Sequence, residues 1–469
     1  MKVTALILAI LSVAVAAEKV SYEGYKVYEL LPANEDQLTL IRSLNKNQSI
    51  DFWSEPRMLG KATTVMVPPN LQKDFVSTLE SASITYSVLI ENVERVNKAE
   101  QTRQATRATP TGRISFTEYQ RYGAIQDYLS ELAANYPDIV SVEEIGTSYE
   151  GRSISMIKIG AGSSDNPTIL VDGGIHAREW ISPAFVTYII QELVENEANR
   201  NMIENTNWLI IPVLNPDGYE YTHTSVSKNY WLIIPVLNPD GYEYTHTSAR
   251  LWRKTRSYGT ICFGVDGNRN FDYHWMETGA SAYQCDETYA GDAAFSESET
   301  AALRDLVLAY GDQIKLYLTF HQHLANLKQL LCETFYGNYL LYPWGYTSEL
   351  PEDADVLDAL AVDVEAAIAS VAGTRYTIGA VDVEAAIASV AGTRYTIGSS
   401  TNVLYAAAGG SDDWVKGVGG VALSYTIELP GGGIWGFDLP AARILPVSLE
   451  TFEGVKVYQS YVENNFRKN

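Results

Sequence analysis

Basic residues are scarce relative to acidic ones: 34 Lys and Arg stand against 57 Asp and Glu, a formal net charge of −23. That balance argues against nucleic-acid binding, which needs a basic face. It fits a soluble secreted protein, although charge alone selects no function. Past the N-terminus no stretch offers the roughly 20 consecutive apolar residues of a membrane-spanning helix. Cysteine is limited to three residues and histidine to six.

What is present is ordinary globular material, 46% hydrophobic and 19% charged. At 469 residues more than one domain is expected. Met1-Lys2, an apolar run over 5–15 and the small residues Ala14-Val15-Ala16-Ala17 form a secretory signal, cleaved after Ala16 or Ala17. Residues 1–17 are therefore expected to be lost and the mature protein to be extracellular. In that compartment Cys262 and Cys285 are expected to join, closing a loop worth about 3 kcal/mol. Cys332 is the odd thiol.

Residues 18 to about 93 read as a small unit. Strand-like stretches at 25–31, 50–53, 63–67 and 85–90 alternate with helical spacing over 34–44 and a helix through Leu79 capped by Asn70. The order β-α-β-β-α-β is that of an open sandwich. The polar stretch 101–113, dotted with Arg103, Arg107 and Arg113, is easily nicked by a protease. A small domain followed by a cleavable linker points to a zymogen. From Ser115 onward apolar strands and helices alternate, predicting an α/β domain on a buried mixed sheet. Helical spacing covers 117–134, 181–193 and 451–461. Strands are expected at 140–145, 155–159, 168–171, 208–214, 314–320 and 421–429.

Asp172-Gly173-Gly174-Ile175-His176-Ala177-Arg178-Glu179 follows one of those strands. An imidazole and a carboxylate at this spacing can grip one zinc ion, leaving room for a third ligand and a water. Alone the pair is a weak signal. Two further oddities stand out: residues 208–225 recur unchanged at 231–248, and 361–379 at 380–398. Structural repeats drift apart and come in larger arrays, so these copies point to recent duplication or an assembly error.

Seven motifs in order give the chain a family resemblance. They are His176-Ala177-Arg178-Glu179, Asn215-Pro216-Asp217-Gly218, Leu251-Trp252-Arg253-Lys254, Gly264-Val265-Asp266-Gly267-Asn268-Arg269, Tyr342-Pro343-Trp344-Gly345, Gly410-Ser411-Asp412-Asp413-Trp414 and Tyr425-Thr426-Ile427-Glu428-Leu429. From Ser115 the chain resembles the zinc metallocarboxypeptidases of the pancreatic A/B type, and the preceding unit resembles their activation segment. The resemblance implies a propeptide with its linker over 18–107 and a catalytic domain over 108–469. It implies one zinc on His176, Glu179 and His321, with His323 as the rival third ligand, and Asp266 orienting a ligand histidine. Glu428 would be the general base and Arg253 the oxyanion holder. Arg269, helped by Asn268 and Tyr405, would clamp the substrate carboxylate, because a guanidinium fork matches a planar carboxylate. Arg178 and Tyr336 would line neighbouring subsites. Asp412 would stand at the floor of the terminal side-chain pocket and favour Arg or Lys.

The resemblance also implies peptide substrates, a trypsin-like activating protease and a monomer without nucleic-acid or membrane partners. Two alternatives stay open: preference for aromatic or aliphatic ends, and an inactive secreted peptide-binding protein crippled by its insertions. The second arises because the family runs from the third ligand almost directly into a Ser-Tyr-Gly-like turn, whereas here residues 322–335 intervene.

Overall fold

In residues 168–171 every side chain is apolar or buried, and alternate residues supply two different cores. Ile169 and Val171 enter one hydrophobic cluster and Leu170 the other, as the period of a strand covered on both faces requires. The computed structural model describes residues 21–44, 47, 49–53, 56, 59–60, 62–95, 114–221, 250–322, 338–371, 395–431, 437 and 439–467.

The N-terminal unit comprises β1 (Lys26–Leu31), α1 (Glu35–Leu44), β2 (Asp51–Phe52), β3 (Thr63–Val67), α2 (Gln72–Ser81) and β4 (Thr85–Ile90). Its antiparallel sheet has the order β2-β3-β1-β4. The expected β-α-β-β-α-β sandwich is present. Asn34 caps α1 by accepting from the Gln37 N–H at 3.0 Å. Asn70 does not cap α2. Leu71 occupies the entry position with no side-chain cap, because the turn closed by its N–H on the Pro68 carbonyl places Asn70 one residue early.

The larger unit is an eight-stranded mixed sheet. Its strands are β5 (Val140–Thr147), β6 (Ser153–Ile159), β7 (Thr168–Gly173), β8 (Asn207–Ile211), β9 (Ile314–Gln322), β10 (Tyr339–Tyr342), β11 (Thr396–Ser399) and β12 (Leu423–Leu429). They lie in the order β11-β10-β12-β9-β7-β8-β6-β5. The central neighbours β12, β9, β7 and β8 run parallel. One face is covered by α3 (Tyr122–Asn135), α4 (Ile181–Val194), α6 (Ala354–Val371) and α8 (Ile444–Phe466), which share a core with it. The other face takes α5 (Ser298–Tyr310) and α7 (Ser411–Gly417).

Several expected boundaries move for visible reasons. Helix α3 begins at Tyr122 and not near 117, since Tyr119 is drawn aside to donate to the Leu439 carbonyl and to meet Trp180 edge-on. Strand β8 stops at Ile211, because the Leu214 and Asn215 N–H groups turn to the carbonyls of Gly173 and Gly174. The last helix is longer than 451–461, covering Ile444–Phe466 with Pro446 in its first turn, where a missing N–H costs nothing.

The duplicated segments resolve unevenly. The first copy of 208–225 supplies β8, while 231–248 lie outside the described residues. Of the second pair, the described residues show the first copy within α6 and the second within β11.

Candidate active site

The parallel strands β7, β9 and β12 end side by side, and open α/β sheets bind their ligands outside such carboxyl ends. Beyond β7 the chain turns at Gly174, whose φ of +72° suits glycine and where a Cβ would meet the Pro183 ring at 2.8 Å. The turn delivers His176 and Glu179. His321 sits near the end of β9, on the face opposite Leu318 and Phe320. Glu428 is its registered partner on β12.

His176, Glu179 and His321 converge, all buried. His176 Nδ1 lies 2.8 Å from Glu179 Oε1. His321 Nδ1 lies 3.2 Å from His176 Nδ1 and 3.1 Å from Glu179 Oε2. The opposite nitrogen of His176, Nε2, lies 3.1 Å from Asp266 Oδ1. A carboxylate only accepts, so Nε2 carries the proton and Nδ1 presents a lone pair. That lone pair then faces a carboxylate oxygen, an arrangement that calls for a cation between them. Zinc bonds of about 2.0–2.2 Å in a tetrahedron place neighbouring donors about 3.3 Å apart, close to the separations found. The donor set fits zinc. His323, the rival ligand, lies outside the described residues, as do Cys332 and Tyr336.

Asp266 ties this trio to the arginines. Its Oδ2 accepts from Arg253 Nε and Nη2 at 3.0 and 2.9 Å, and its Oδ1 also accepts from the Asn268 N–H. Burial opposes its charge, but Arg253, Arg269 and His176 together hold the carboxyl well below the usual range. Burial lowers His176, with Arg253 acting in the same sense. Glu428 is partly open to the cleft; burial pushes its carboxyl up to about 7, Glu179 and Asp412 adding to the rise while His321 and Arg253 oppose it.

The other expected residues gather around the same cleft, which Arg178, Arg253, Asn268, Arg269, Tyr405 and Asp412 line together with Glu428. Arg269 donates through Nε to Gly279 O and through Nη1 to Asn268 O. Asn268 in turn accepts from the Ser411 N–H at 2.9 Å. Gly409, at φ +76°, brings the following loop against the Arg269 carbonyl, which a Cβ would meet at 2.5 Å. Asp412 lies at the start of α7, 6% exposed, accepting from Ser400 Oγ at 3.3 Å. Its neighbour Asp413 turns away and accepts from the N–H groups of Gly345 and Tyr346. Cys262 and Cys285 are joined, with Cα atoms 5.1 Å apart.

Some cleft residues were not anticipated. Trp53 of the N-terminal unit lines the cleft and stands edge-on to Phe437 at 5.7 Å. Asp51 lies 3.9 Å from Arg178, which also approaches Glu287 at 3.5 Å and lies over the Phe437 ring. An aromatic inside a short strand was the available signal for Trp53, but nothing in sequence joined it to a residue 384 positions away. Gln322 is a correction. Grouped by sequence with the intervening segment, it is the last residue of β9, lines the cleft and donates its N–H to Glu179 Oε2 at 3.2 Å.

Comparison with known proteins identifies the family. The zinc carboxypeptidase family matches residues 125–230 and 224–454, and the carboxypeptidase activation peptide family matches residues 28–100. Carboxypeptidase B of Astacus astacus is 44% identical over 357 residues, covering 75% of this chain and 100% of that protein. Carboxypeptidase B of Rattus norvegicus is 35% identical over 471 residues, covering 98% and 99%. Among solved structures, the carboxypeptidase A from Helicoverpa armigera superposes with a TM-score of 0.78 at 29% identity, covering 95% of this chain and 99% of that one. With both units matched and the donor set in place, the chain belongs to the zinc carboxypeptidase family, as a one-zinc peptidase that carries its own activation peptide.

Proposed function

We propose that the chain is a secreted zymogen whose activated form removes C-terminal Arg and Lys from peptides. The observation that carries the specificity is Asp412: a carboxylate that is 6% exposed, lines the cleft and has no Lys or Arg partner among the described residues. A buried carboxylate without a cation is costly, and the side chain of a terminal Arg or Lys would supply one.

In this reading His176, Glu179 and His321 hold the zinc, which when bound polarises the scissile carbonyl and acidifies a water. Asp266 fixes the His176 ring through Nε2. Glu428, across the sheet from His321, takes a proton on its carboxylate and passes it to the leaving amine. Arg269 receives the substrate's terminal carboxylate; its Nη2 has no protein partner among the described residues, since Nε and Nη1 hold the loop. Asn268 and Tyr405 assist there, and Tyr336, outside the described residues, is assigned to a neighbouring subsite by resemblance alone. Arg253 uses Nε and Nη2 on Asp266 and offers Nη1 to the developing oxyanion. Arg178 serves the upstream subsite.

Latency follows from the N-terminal unit, taken as 18–107 after loss of the signal at 1–17. Its Trp53, Val27, Met66 and Ile90 bury apolar surface against Leu251 and Phe437 of the 108–469 unit. Its Asp51 faces the substrate-side Arg178. Cutting at Arg103, Arg107 or Arg113 by a trypsin-like protease would release it.

The test is to treat the full chain with trypsin and offer an equimolar mixture of peptides ending in Arg and in Phe. Faster release of Arg, abolished by a chelator and restored by zinc, is expected. Preferential release of Phe rules out the basic preference. No release by a zinc-loaded, correctly cut chain would favour the inactive peptide-binding alternative.

A further inference from the structure

We propose that Asn47 is an N-glycosylation site, accepting an oligosaccharide from a lipid-diphosphate donor, and that the glycan is shed with the N-terminal unit on activation; this rests on the secreted-zymogen reading above. Asn47-Gln48-Ser49 has the Asn-x-Ser form of an acceptor in a secreted chain. In the whole sequence one other asparagine, Asn166, has Ser or Thr two residues on, and Pro167 between them disqualifies it. Thr168 of that second triplet is also buried, in β7. Asn47 and Ser49, in contrast, are both exposed. The loop holds them outside. Helix α1 ends at Leu44, whose carbonyl accepts from the Asn47 N–H at 3.0 Å, and the Ile50 N–H donates to the Asn47 carbonyl at 2.9 Å. Leu44 and Ile50 pack into the core of the N-terminal unit, so the acceptor stands on a turn between two anchored ends.

The side-chain geometry leaves the reacting atom free. Asn47 Oδ1 accepts from the Ser49 N–H at 3.1 Å. Only the oxygen of a carboxamide can accept, so Nδ2 is the other end, and it makes no hydrogen bond among the described residues. The Ser49 hydroxyl makes none among them either. A turn alone would use the Asn47 oxygen and the Ser49 N–H and have no need of that hydroxyl, whereas an acceptor site requires it. In the transfer, Asn47 Nδ2 bonds to the anomeric carbon of the sugar and the bond from that carbon to the diphosphate oxygen breaks. The lipid diphosphate leaves with the electron pair, and one amide proton is lost. Asp51 and Trp53, which meet Arg178 and Phe437, follow on the same segment. Ser49 itself borders a cavity shared with Leu251, Trp252 and Glu287 of the larger unit. A bulky, solubilising glycan is thus rooted at the rim of the interface. Because the attachment falls within 18–107, cutting the linker removes it and the active enzyme carries no N-glycan.

The experiment expresses the full chain with its own signal in cultured eukaryotic cells, collects it from the medium and reads its first residue by mass spectrometry. The peptide 47–57, released by complete trypsin digestion, should carry hexose and N-acetylhexosamine. Peptide N-glycosidase in heavy-oxygen water should convert Asn47 to labelled aspartate. After limited cutting at the linker, the glycan mass should travel wholly with the N-terminal fragment. Ser49→Ala should lose the glycan completely and Ser49→Thr should keep it; once deglycosylated, both should melt with the parent. A secreted chain, its signal removed, whose Asn47 is unmodified overturns the proposal. So does a glycan that survives Ser49→Ala, or an N-glycan on the catalytic fragment. Were Ser49→Ala to misfold, Ser49→Thr must still carry the glycan as the parent does, and its absence there also overturns the proposal. A chain kept inside the cells with residues 1–17 attached refutes the secretion reading, and the proposal falls with it.

Discussion

Replacing Asp412 by Ile should invert the preference of the activated enzyme. The carboxylate is 6% exposed, its neutral neighbour Ser400 offers a contact of 3.3 Å, and no cation of the described residues reaches it. A terminal guanidinium bound there forms a partly desolvated ion pair. Removing one member of a buried pair costs about 3–5 kcal/mol, and each 1.4 kcal/mol is tenfold. The cleft is open to water on one side, so the lower end applies, a fall of about 100-fold in kcat/KM for Arg-ended peptides. Peptides ending in Leu or Phe should gain about 5-fold or more, since they no longer strand a buried carboxylate, a penalty of about 1–3 kcal/mol. The assay is amino-acid release from blocked peptides that differ only in their last residue, with zinc content and melting temperature matched between proteins. An Arg-to-Phe ratio that stays within threefold of the unmutated value would refute the reasoning. Asp413 provides the contrast. Its carboxylate is occupied by the backbone N–H groups of Gly345 and Tyr346, so Asp413→Asn should lower stability while leaving that ratio unchanged.

Glu428→Gln should reduce kcat by about 10²- to 10⁴-fold, the usual worth of a general base, without loss of zinc by atomic absorption. As the proposed base Glu428 must be ionised, and burial raises this carboxyl to about 7. The kcat/KM of the unmutated enzyme should therefore fall as pH drops through 7 or below, a bound cation shifting the limb downward; an acid limb unchanged in the Gln variant would be against the assignment. Trp53→Ala removes the aromatic packed on Phe437, an interface anchor worth about 2 kcal/mol or more. The uncut variant should show residual activity, or its severed segment inhibit about 30-fold less tightly; a variant as silent as the parent contradicts the latency argument. Glu299 is buried, and burial, with Glu297 adding, raises its carboxyl well above 4.5 in the fold. A raised folded value means stability present below the ordinary glutamate range and lost as pH climbs above it, by up to about 1.4 kcal/mol per unit. Glu299→Gln should thus melt higher than the parent at pH 8, with the gap closing toward pH 4.5; a gap that is independent of pH would show that Glu299 does not titrate in this way.

Much of the molecule was legible in the linear sequence because its signals are local. The short apolar run over 168–171, the helix-like run over 181–193 and the glycine pair at 173–174 point to a strand, a helix and a turn without reference to anything distant. The spacing of His176 and Glu179 puts two potential ligands on one turn, and the basic-poor composition argues against a nucleic-acid face. The third ligand, the base and the roles of the arginines came from motif resemblance, since residues scattered along the chain carry no shared local signal. Only the tertiary structure decided what depends on juxtaposition across strands. Parallel pairing of β9 with β12 sets Glu428 opposite His321 and Gln322 opposite Leu429, so Gln322, grouped by sequence with the intervening segment, lines the cleft. Of two adjacent aspartates, backbone N–H groups claim Asp413, while Asp412 lines the cleft. Among the described residues, 361–371 of one copy lie in a helix and 396–398 of the other in a strand. A perfect duplication gives each copy the same propensities, so the sequence alone assigns neither role to a particular copy.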